Sequence, residues 1–502
     1  MKAAWSFCAM EALWSLYEPL SPWGRDERER RIVFTDIDTI SARHDDVDRA
    51  IAWLGSVDAL TRDRMSWHLK RMPRIPVEAK SEYEISELFQ LKKFLANYKG
   101  VRAALDASTA QAFGFADAGS ALARELDRGG SDAETFFLAD AYDENLASCR
   151  AKIAACMERE RAEHARAEAQ ARLEKGLSFD GREFLLVDKS RAPSELADAA
   201  LYMLEPYDDT RYLVRLRPSA LAMAIAEEKR ALFEQEREAE NRVVQKLSIL
   251  VASAMAELMQ AMHAITRWDL ARAAAVLALR YAMVRPVLSS DSLVIESGRY
   301  LPCMQDCERL GLSYAPLSAS FDEPAVVLFG SNMGGKTVVL KTVLFFQIAA
   351  QAGLFVPAAV FASRVYASIL YVGEQMGEIL SGLSGFGSEV WRLQAALESG
   401  GSSLVAYDEL ARTTGSHEAE ALLSAVVEHY ASAASGRNCV ALFATHFRGI
   451  ARVHGAQYLR MMGLDRDAAR QAISTGLPLE ARLSGINRHM RYSLAPDDST
   501  AL

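Results

Sequence analysis

A glycine-bearing loop joins an apolar run to a helix-forming stretch in "VVLFGSNMGGKTVVLKTV", residues 326–343. The spacing from Gly330 to Lys336 and Thr337 fits G-x-x-x-x-G-K-[ST], the phosphate-binding pattern called a P-loop. In that pattern loop amides and the lysine cradle phosphates, while the hydroxyl binds Mg²⁺. The residues expected to hold the nucleotide share this loop and the first turn of its helix: Gly330, Ser331, Asn332, Met333, Gly334, Gly335, Lys336, Thr337 and Val338.

Two acidic residues follow another apolar run, "SLVAYDEL", which ends in Asp408 and Glu409. An aspartate at the end of a strand can hold Mg²⁺, and an adjacent glutamate can orient or deprotonate an attacking water. Together with the P-loop, this pair predicts ATP hydrolysis, with Thr337 and Asp408 as metal ligands and Glu409 as a catalytic residue. The alternative is a strand that ends in a helix cap.

A third apolar run, "CVALFATH", ends in Thr445 and His446. Polar residues at the carboxyl ends of parallel strands lie where such folds bind ligands. His446 is therefore a candidate catalytic residue that senses the γ-phosphate, although a histidine at a strand end can also be purely structural.

The elements around these motifs change character along the chain. Residues 1 to about 175 are rich in helix formers and show little strand signal, as in "ISELFQLKKFLANYKGVRAAL". Two short β-like runs, "REFLLV" and "RYLVRLR", then precede a second helical tract, expected over 219–263, whose length suits a lever. After residue 286, strands alternate with helices, which predicts a mostly parallel sheet.

The bulk composition bounds the choice of partner and compartment. The chain has 502 residues, a net charge of -9 and six cysteines without zinc or C-x-x-C spacing. Any nucleic acid must therefore be held by local patches, since there is no global basic field. Reduced thiols, and an N-terminus without the pattern of an export signal, predict a cytoplasmic protein with no membrane span.

In order and spacing, the three motifs resemble the ATPase domain of the MutS family, whose P-loop contains Asn-Met before the paired glycines. "SGLSGFGSEV", residues 381–390, is similar to the family's signature loop, with Ser384, Phe386 and Glu389 at matching positions. "VIESGRYLP" resembles the segment that opens the ATPase domain, and "YDENL" resembles the start of a lever helix. The resemblance is strong over residues 291–460 and loose before them.

The resemblance implies a fold of two parts. Residues 291–502 would form an α/β P-loop ATPase domain, ABC/MutS-like, with a mostly parallel sheet and a short C-terminal tail. Residues 1–290 would form a mainly α-helical lever domain, with a β clamp remnant inserted at about 176–218. The lever-like sequence begins within the first hundred residues, so we expect the mismatch-reading and connector domains to be missing.

The resemblance also implies roles for individual residues. Asn332 would contact the γ-phosphate or its water, and Ser384 would complete the ATP site of a second subunit in a homo- or heterodimer. Ser384 can equally serve as a helix N-cap of its own chain. Tyr314 would either stack on the adenine or pack in the core. The signature loop has Leu383 where an arginine is common, so hydrolysis is expected to be slow or differently coupled.

The sequence leaves two targets open. Family resemblance favours double-stranded DNA, held weakly and without mismatch reading. The region 176–218 carries six basic and eight acidic residues, a net of -2, whereas a clamp that holds phosphates should be basic. That balance favours a protein partner. The resemblance offers an example, since short MutS-related proteins include proposed reactivase subunits for the B12-dependent lysine 5,6-aminomutase. A degenerate relative without ATPase activity is a third interpretation.

Overall fold

A computed structural model gives the conformation of most of the chain. It describes residues 1–130, 136–190, 201–330, 334–373, 385–398, 401–411, 415–432, 439–464 and 490–497. The α-helices are α1 Lys2–Phe7, α2 Met10–Leu16, α3 Pro22–Glu29, α4 Ile37–Ser56, α5 Ala59–Lys70, α6 Ile85–Ala104, α7 Ala107–Phe113, α8 Ser120–Leu126, α9 Glu144–Lys175, α10 Ala220–Arg280, α11 Leu301–Leu310, α12 Lys336–Gln351, α13 Gly385–Leu397 and α14 Ser416–Ala431. A 3₁₀ turn spans Asp140–Tyr142.

The strands form three sheets within the described residues. They are β1 Leu185–Asp188, β2 Tyr202–Pro206, β3 Arg211–Leu216, β4 Ser289–Gly298, β5 Leu317–Phe321, β6 Ala325–Phe329, β7 Val360–Arg364, β8 Ser368–Val372, β9 Ser403–Asp408, β10 Val440–Thr445, β11 Ala456–Leu464 and β12 Met490–Pro496. The sheet orders are β1-β3-β2, β5-β4-β7 and β12-β11-β6-β10-β9-β8. The predicted mixture of helices and a mostly parallel sheet is confirmed as an α/β fold.

The chain divides into two compact units. The sheet unit comprises Met1–Arg71, Val101–Phe115 and Met262–Leu502, and the helical unit comprises Met72–Gly100 and Ala116–Ala261. These units do not follow the linear division at residue 290 that the sequence suggests, since the first 71 residues belong to the sheet unit. The assignment of lever and clamp roles stays a prediction.

Five strands of the six-stranded sheet are parallel, and the three at its centre, β6, β10 and β9, are buried on both faces. β10 pairs in parallel with β6 on one side and with β9 on the other. Their residues, such as Val326, Val405 and Phe443, are fully buried. Continuous apolar runs of this kind are typical of a parallel sheet that helices cover on both faces. The three strands recognised in the sequence are thus neighbours. β12 forms one edge of the sheet and pairs antiparallel with β11.

The N-terminal segment is fastened to the end of helix α12 by hydrogen bonds. The Gln351 Nε2 donates to the Phe34 carbonyl at 2.8 Å and to the Tyr366 carbonyl at 2.9 Å. The Gln351 Oε1 accepts from the Tyr366 amide at 3.0 Å and from Gln347 Nε2 at 2.8 Å. The Gln351 side chain is fully buried, so it replaces water for two backbone segments distant in sequence.

The helical unit contains two antiparallel helices and the three-stranded sheet. Ile153 and Cys156 of α9 pack with Ile225 and Leu232 of α10. Helix α9 ends at Gly176 in the left-handed conformation, with φ 66°, as its charged, glycine-terminated sequence predicts. Helix α10 extends to Arg280, well beyond the predicted end at residue 263, because "AITRWDLARAAAVLALR" is also rich in helix formers.

One helix of the described residues, α10, contains an 18-residue stretch that is long and apolar enough to cross a membrane. This rests on length and composition alone, and 33% of the stretch is buried inside the protein. A core helix of a soluble protein passes the same test, so the finding is weak evidence for a membrane span.

Replacing Gln351 should destabilise the sheet unit. In Gln351→Met the side chain keeps its length but leaves the Tyr366 amide and two carbonyls without their partner, so we expect a loss of about 2–4 kcal/mol in the free energy of unfolding. Urea denaturation measures it. Gln394→Met is the matched control, because Gln394 is exposed and its side chain donates to Glu398, one residue past the end of its helix. Equal stability of the two variants would contradict the role of Gln351.

Candidate active site

Strand register brings the sequence motifs to one edge of the sheet. Thr445 lies opposite Phe329, the last residue of β6, and Ala444 lies opposite Asp408, the last residue of β9. The carboxyl ends of β6, β10 and β9 are therefore level. The loop with Lys336, the pair Asp408-Glu409 and His446 all follow these ends, where parallel α/β sheets bind ligands.

Lys336 is the first residue of helix α12 and is only 3% exposed. Its Nζ donates to the Gly330 carbonyl at 2.6 Å, at the other end of the loop. Burial lowers the pKa of Lys336, while the nearby carboxylates of Glu409 and Asp408 act to raise it. A desolvated ammonium at a helix N-terminus forms a strong site for an anion.

The loop reaches the helix through a glycine that no other residue replaces easily. Gly335 precedes α12 with φ +92°, a left-handed conformation. A Cβ atom at Gly335 would lie 3.2 Å from the Tyr492 ring. The backbone therefore both turns sharply and passes close to a neighbouring strand. Gly334 is buried beside it, and Val338 lines the adjoining cavity.

The predicted metal ligands are in direct contact. Thr337 Oγ1 donates to Asp408 Oδ1 at 3.2 Å. Burial raises the pKa of Asp408, whereas the hydrogen bond from Thr337 acts to lower it. A hydroxyl and a desolvated carboxylate are hard oxygen donors that fit Mg²⁺, which needs few protein ligands beside phosphates and water. Among the described residues, no group of three or more His, Cys, Asp or Glu side chains is placed to hold a metal ion.

Glu409 is held in a strained backbone conformation. Its φ is +54°, and that of Ala411 is +66°, both unusual for residues with a Cβ atom. The Glu409 amide donates to the Ala444 carbonyl at 2.9 Å. The Ala411 amide donates to the Glu389 carboxylate at 2.6 Å. Such strain persists only where surrounding contacts hold it, and it concentrates at functional sites.

His446 faces the same carboxylate. Its Nδ1 lies 3.9 Å from Glu409 Oε1, and its side chain is 44% exposed. The imidazole also stacks at an angle on Phe447, with ring centroids 4.3 Å apart. A partly exposed histidine thus lies beside Glu409 at the sheet edge, and its role on a ligand stays a prediction.

Four of the predicted site residues lie outside the described residues: Ser331, Asn332, Met333 and Ser384. Their predicted roles stay predictions. The side chain of Phe386 is likewise not described.

A cavity of about 690 Å³ opens beside the loop. Tyr314 and Tyr492 line it, together with Thr337 and Val338 of helix α12. The Tyr314 hydroxyl accepts a hydrogen bond from the Tyr300 amide at 2.7 Å, and burial raises the pKa of Tyr314 to about 12. The ring of Tyr314 is thus fixed at the wall of the cavity. The volume suits one ligand of drug or nucleoside size.

Tyr492 was not predicted from the sequence. It belongs to β12, which reaches the loop only because β12 pairs with β11 and β11 with β6. Its local sequence, "MRYSLAP", carries no ligand-binding pattern. Tertiary pairing alone brings this ring to the cavity.

The parallel sheet, the sharp glycine turn and the buried lysine at a helix N-terminus define an α/β protein of the P-loop class. Residues 326–476 match the sequence family MutS domain V. Through this domain the chain is a MutS-related protein.

Known relatives agree with this assignment. The chain is similar to the DNA mismatch repair protein MutS of Natronomonas pharaonis, with 31% identity over 199 residues, covering 39% of this chain and 22% of the relative. It is 36% identical over 198 residues to Endonuclease MutS2 of Thermomicrobium roseum, covering 37% of this chain and 25% of the relative. Endonuclease MutS2 of Clostridioides difficile is 28% identical over 314 residues, covering 62% of this chain and 37% of the relative. The chain thus matches well under half the length of each relative.

Removing the charge of Asp408 should stabilise the ligand-free protein. A carboxyl whose pKa is raised on folding binds its proton more tightly when folded, so its ionisation opposes folding as pH rises above its unfolded pKa. We expect Asp408→Asn to raise the melting temperature near pH 7 without Mg²⁺ or nucleotide, and the gain to shrink as the pH is lowered. Thermal unfolding from pH 4 to pH 7 tests this, with the exposed Asp306→Asn as control. A lower melting temperature for Asp408→Asn would contradict it.

Glu389 should act as a positioning residue for Glu409. Glu389→Ala leaves the Ala411 amide unbonded and frees the strained segment, so we expect hydrolysis of ATP to slow by about tenfold or more with little change in nucleotide affinity. Glu389→Gln keeps an acceptor oxygen and should restore most of the rate. Steady-state turnover and equilibrium binding of both variants separate the effects. A merely structural role predicts that rate and affinity fall together, without rescue by glutamine.

Proposed function

We propose that this protein binds and hydrolyses ATP as a MutS-type ATPase. The observation that supports this most is the meeting of Lys336, Thr337, Asp408 and Glu409 at the level ends of three parallel strands. Lys336 and the loop amides bind the phosphates, and Thr337 with Asp408 holds Mg²⁺. When bound, Mg²⁺ neutralises charge that develops on the phosphate oxygens.

The chain's own carboxylate performs the proton transfer in this proposal. Glu409 accepts a proton from the attacking water. The water oxygen can then bond to the terminal phosphorus while the bond from phosphorus to the leaving ADP oxygen breaks. His446, 3.9 Å from Glu409, and Asn332 orient the terminal phosphate or the water. The cavity beside the loop receives the adenine, with Tyr314 or Tyr492 against its face.

The protein acts as a dimer in the cytoplasm in this proposal, with Ser384 of each subunit completing the other's ATP site. DNA is its first candidate target. Two relatives have DNA mismatch repair or endonuclease in their names, and this chain is similar to them over 199 and 198 residues. In this proposal, ATP binding and product release change the conformation of the protein, and that change acts on the DNA.

A protein target is the second candidate, and the small sheet β1-β3-β2 favours it. One face of this sheet packs Tyr202 and Val214 onto Ala171 and Phe179. Its other face exposes Leu186 and Met203, which are 40% and 39% accessible. Apolar side chains suit a protein surface better than a phosphate backbone.

Two of the arginines at this sheet are also engaged within the protein. Arg211 donates through Nε to Asp208 at 2.8 Å and lies over the Tyr207 ring. Arg217 donates to the Tyr202 carbonyl. Such contacts reduce what remains for DNA phosphates, in agreement with the acidic balance of residues 176–218.

Two variants should separate nucleotide binding from hydrolysis. Lys336→Ala removes the charge that neutralises the phosphates, so we expect nucleotide affinity to fall by about 100-fold or more. Glu409→Ala should bind ATP with near-normal affinity and lose turnover. Equilibrium binding and phosphate release measured on both proteins decide the roles. Normal turnover in Glu409→Ala would remove it as the base.

Binding to DNA should be weak and insensitive to mismatches. We would measure affinity for homoduplex and single-mismatch duplex from roughly 50 to 200 mM salt, with and without ATP, since the slope of log K against log salt counts phosphate contacts. A shallow slope and equal affinities are expected. A steep slope, or a clear preference for the mismatch, would exclude the protein-target candidate and support DNA.

A further inference from the structure

Two cysteines line the cavity beside the phosphate-binding loop. Cys303 and Cys307 lie one turn apart on helix α11, and both face the cavity together with Gly335 and Thr337. The cavity wall thus joins two thiols to the start of the phosphate-binding helix. Neither thiol has a role in the proposed hydrolysis.

These are also the two thiols that solvent can reach. All six cysteines lie in the described part of the chain, and none forms a disulfide. Cys8, Cys149, Cys156 and Cys439 are buried, whereas Cys303 and Cys307 are partly exposed. A soluble thiol reagent that enters this cavity therefore meets the accessible thiols of the folded protein.

The surroundings distinguish the two thiols. Burial, with a further contribution from the neighbouring Cys307, raises the pKa of Cys303 to about 11. Cys303 thus keeps its proton at neutral pH and is a poor nucleophile. Cys307 lies nearer the exposed end of the helix, which ends at Leu310 with Gly311 as its cap.

We propose that Cys307 is a site of reversible modification by low-molecular-weight disulfides, and that its adduct excludes nucleotide from the cavity. This inference rests on the proposed nucleotide site. The same thiol would be shielded whenever nucleotide is bound, because two ligands that exclude each other do so reciprocally.

The reaction is an ordinary thiol–disulfide exchange. The Cys307 thiolate attacks one sulfur of the disulfide, a new S–S bond forms, and the old S–S bond breaks. The leaving thiolate takes up the proton that Cys307 lost. A direct bridge to Cys303 is disfavoured, because Cβ atoms four residues apart on a helix are about 5–6 Å apart, beyond the usual range for a disulfide.

The size of the cavity explains the exclusion. Its volume of about 690 Å³ is that of a site for one small molecule. An adduct of tripeptide size attached to its wall would occupy space that the base and ribose need. The phosphate-binding groups would remain in place, so the effect should be on affinity.

The test uses the full chain, reduced and then treated with glutathione disulfide. Peptide mapping by mass spectrometry locates the adduct, and titration with a fluorescent ATP analogue gives the affinity before and after treatment. We expect the adduct on Cys307 and an affinity loss of about tenfold or more, reversed by dithiothreitol. Cys307→Ser should show no such change between its treated and untreated forms, whereas Cys303→Ser should still respond.

Nucleotide protection provides the second arm. Mg²⁺ and ATP should slow modification of Cys307 in the wild type, and should not do so in Lys336→Ala, which lacks the phosphate-binding charge. Modification on Cys307 that leaves affinity unchanged would overturn the inference while leaving the nucleotide site intact. Adducts confined to other cysteines would overturn it as well. Absence of nucleotide binding to the reduced protein would overturn both the inference and the proposed function.

Discussion

The register of three parallel strands is the constraint on which the candidate site depends. β6, β10 and β9 end at the same level, so a lysine, a threonine, two acidic side chains and a histidine meet at one edge although they are far apart in sequence. The strands are buried on both faces, and a one-residue shift of one strand would move its end, and the functional side chain that follows, by about 3.3 Å along the sheet. Core packing therefore fixes the relative positions of the charged groups.

Placing charged groups at this buried edge destabilises their ionised forms. Burial lowers the pKa of Lys336 and raises that of Asp408, so both charged forms are disfavoured in the ligand-free site. A ligand that brings phosphates and Mg²⁺ would add an opposite charge beside each group. The strained backbone at Glu409, held by Glu389 and Ala444, adds to this preorganisation. Desolvated charges and a strained backbone segment thus lie together at one edge of the sheet.

Local patterns predicted part of this arrangement. "AVVLF", "SLVAYD" and "VALFAT" are continuous apolar runs, so the sequence indicated buried strands and placed Lys336, Asp408 and His446 near their ends. The charged run over 158–176 also predicted a helix that stops at its glycine, because glycine favours the left-handed conformation that ends a helix. By contrast, β2, β12 and the packing of the N-terminal segment on α12 depend on long-range pairing, for which single-sequence patterns carry no signal. The position of Tyr492 at the cavity and the contact of Gln351 with Phe34 could therefore not be predicted from the sequence.

The affinity of a non-hydrolysable ATP analogue with and without Mg²⁺ tests the assignment of the site most directly. If Thr337 and Asp408 hold Mg²⁺ beside phosphates bound by Lys336, the wild type should bind the analogue about tenfold or more tightly with Mg²⁺ than with a chelator. Thr337→Val and Asp408→Asn should each remove most of that difference. Equal affinity with and without Mg²⁺ in the wild type, or no nucleotide binding at all, would contradict the assignment.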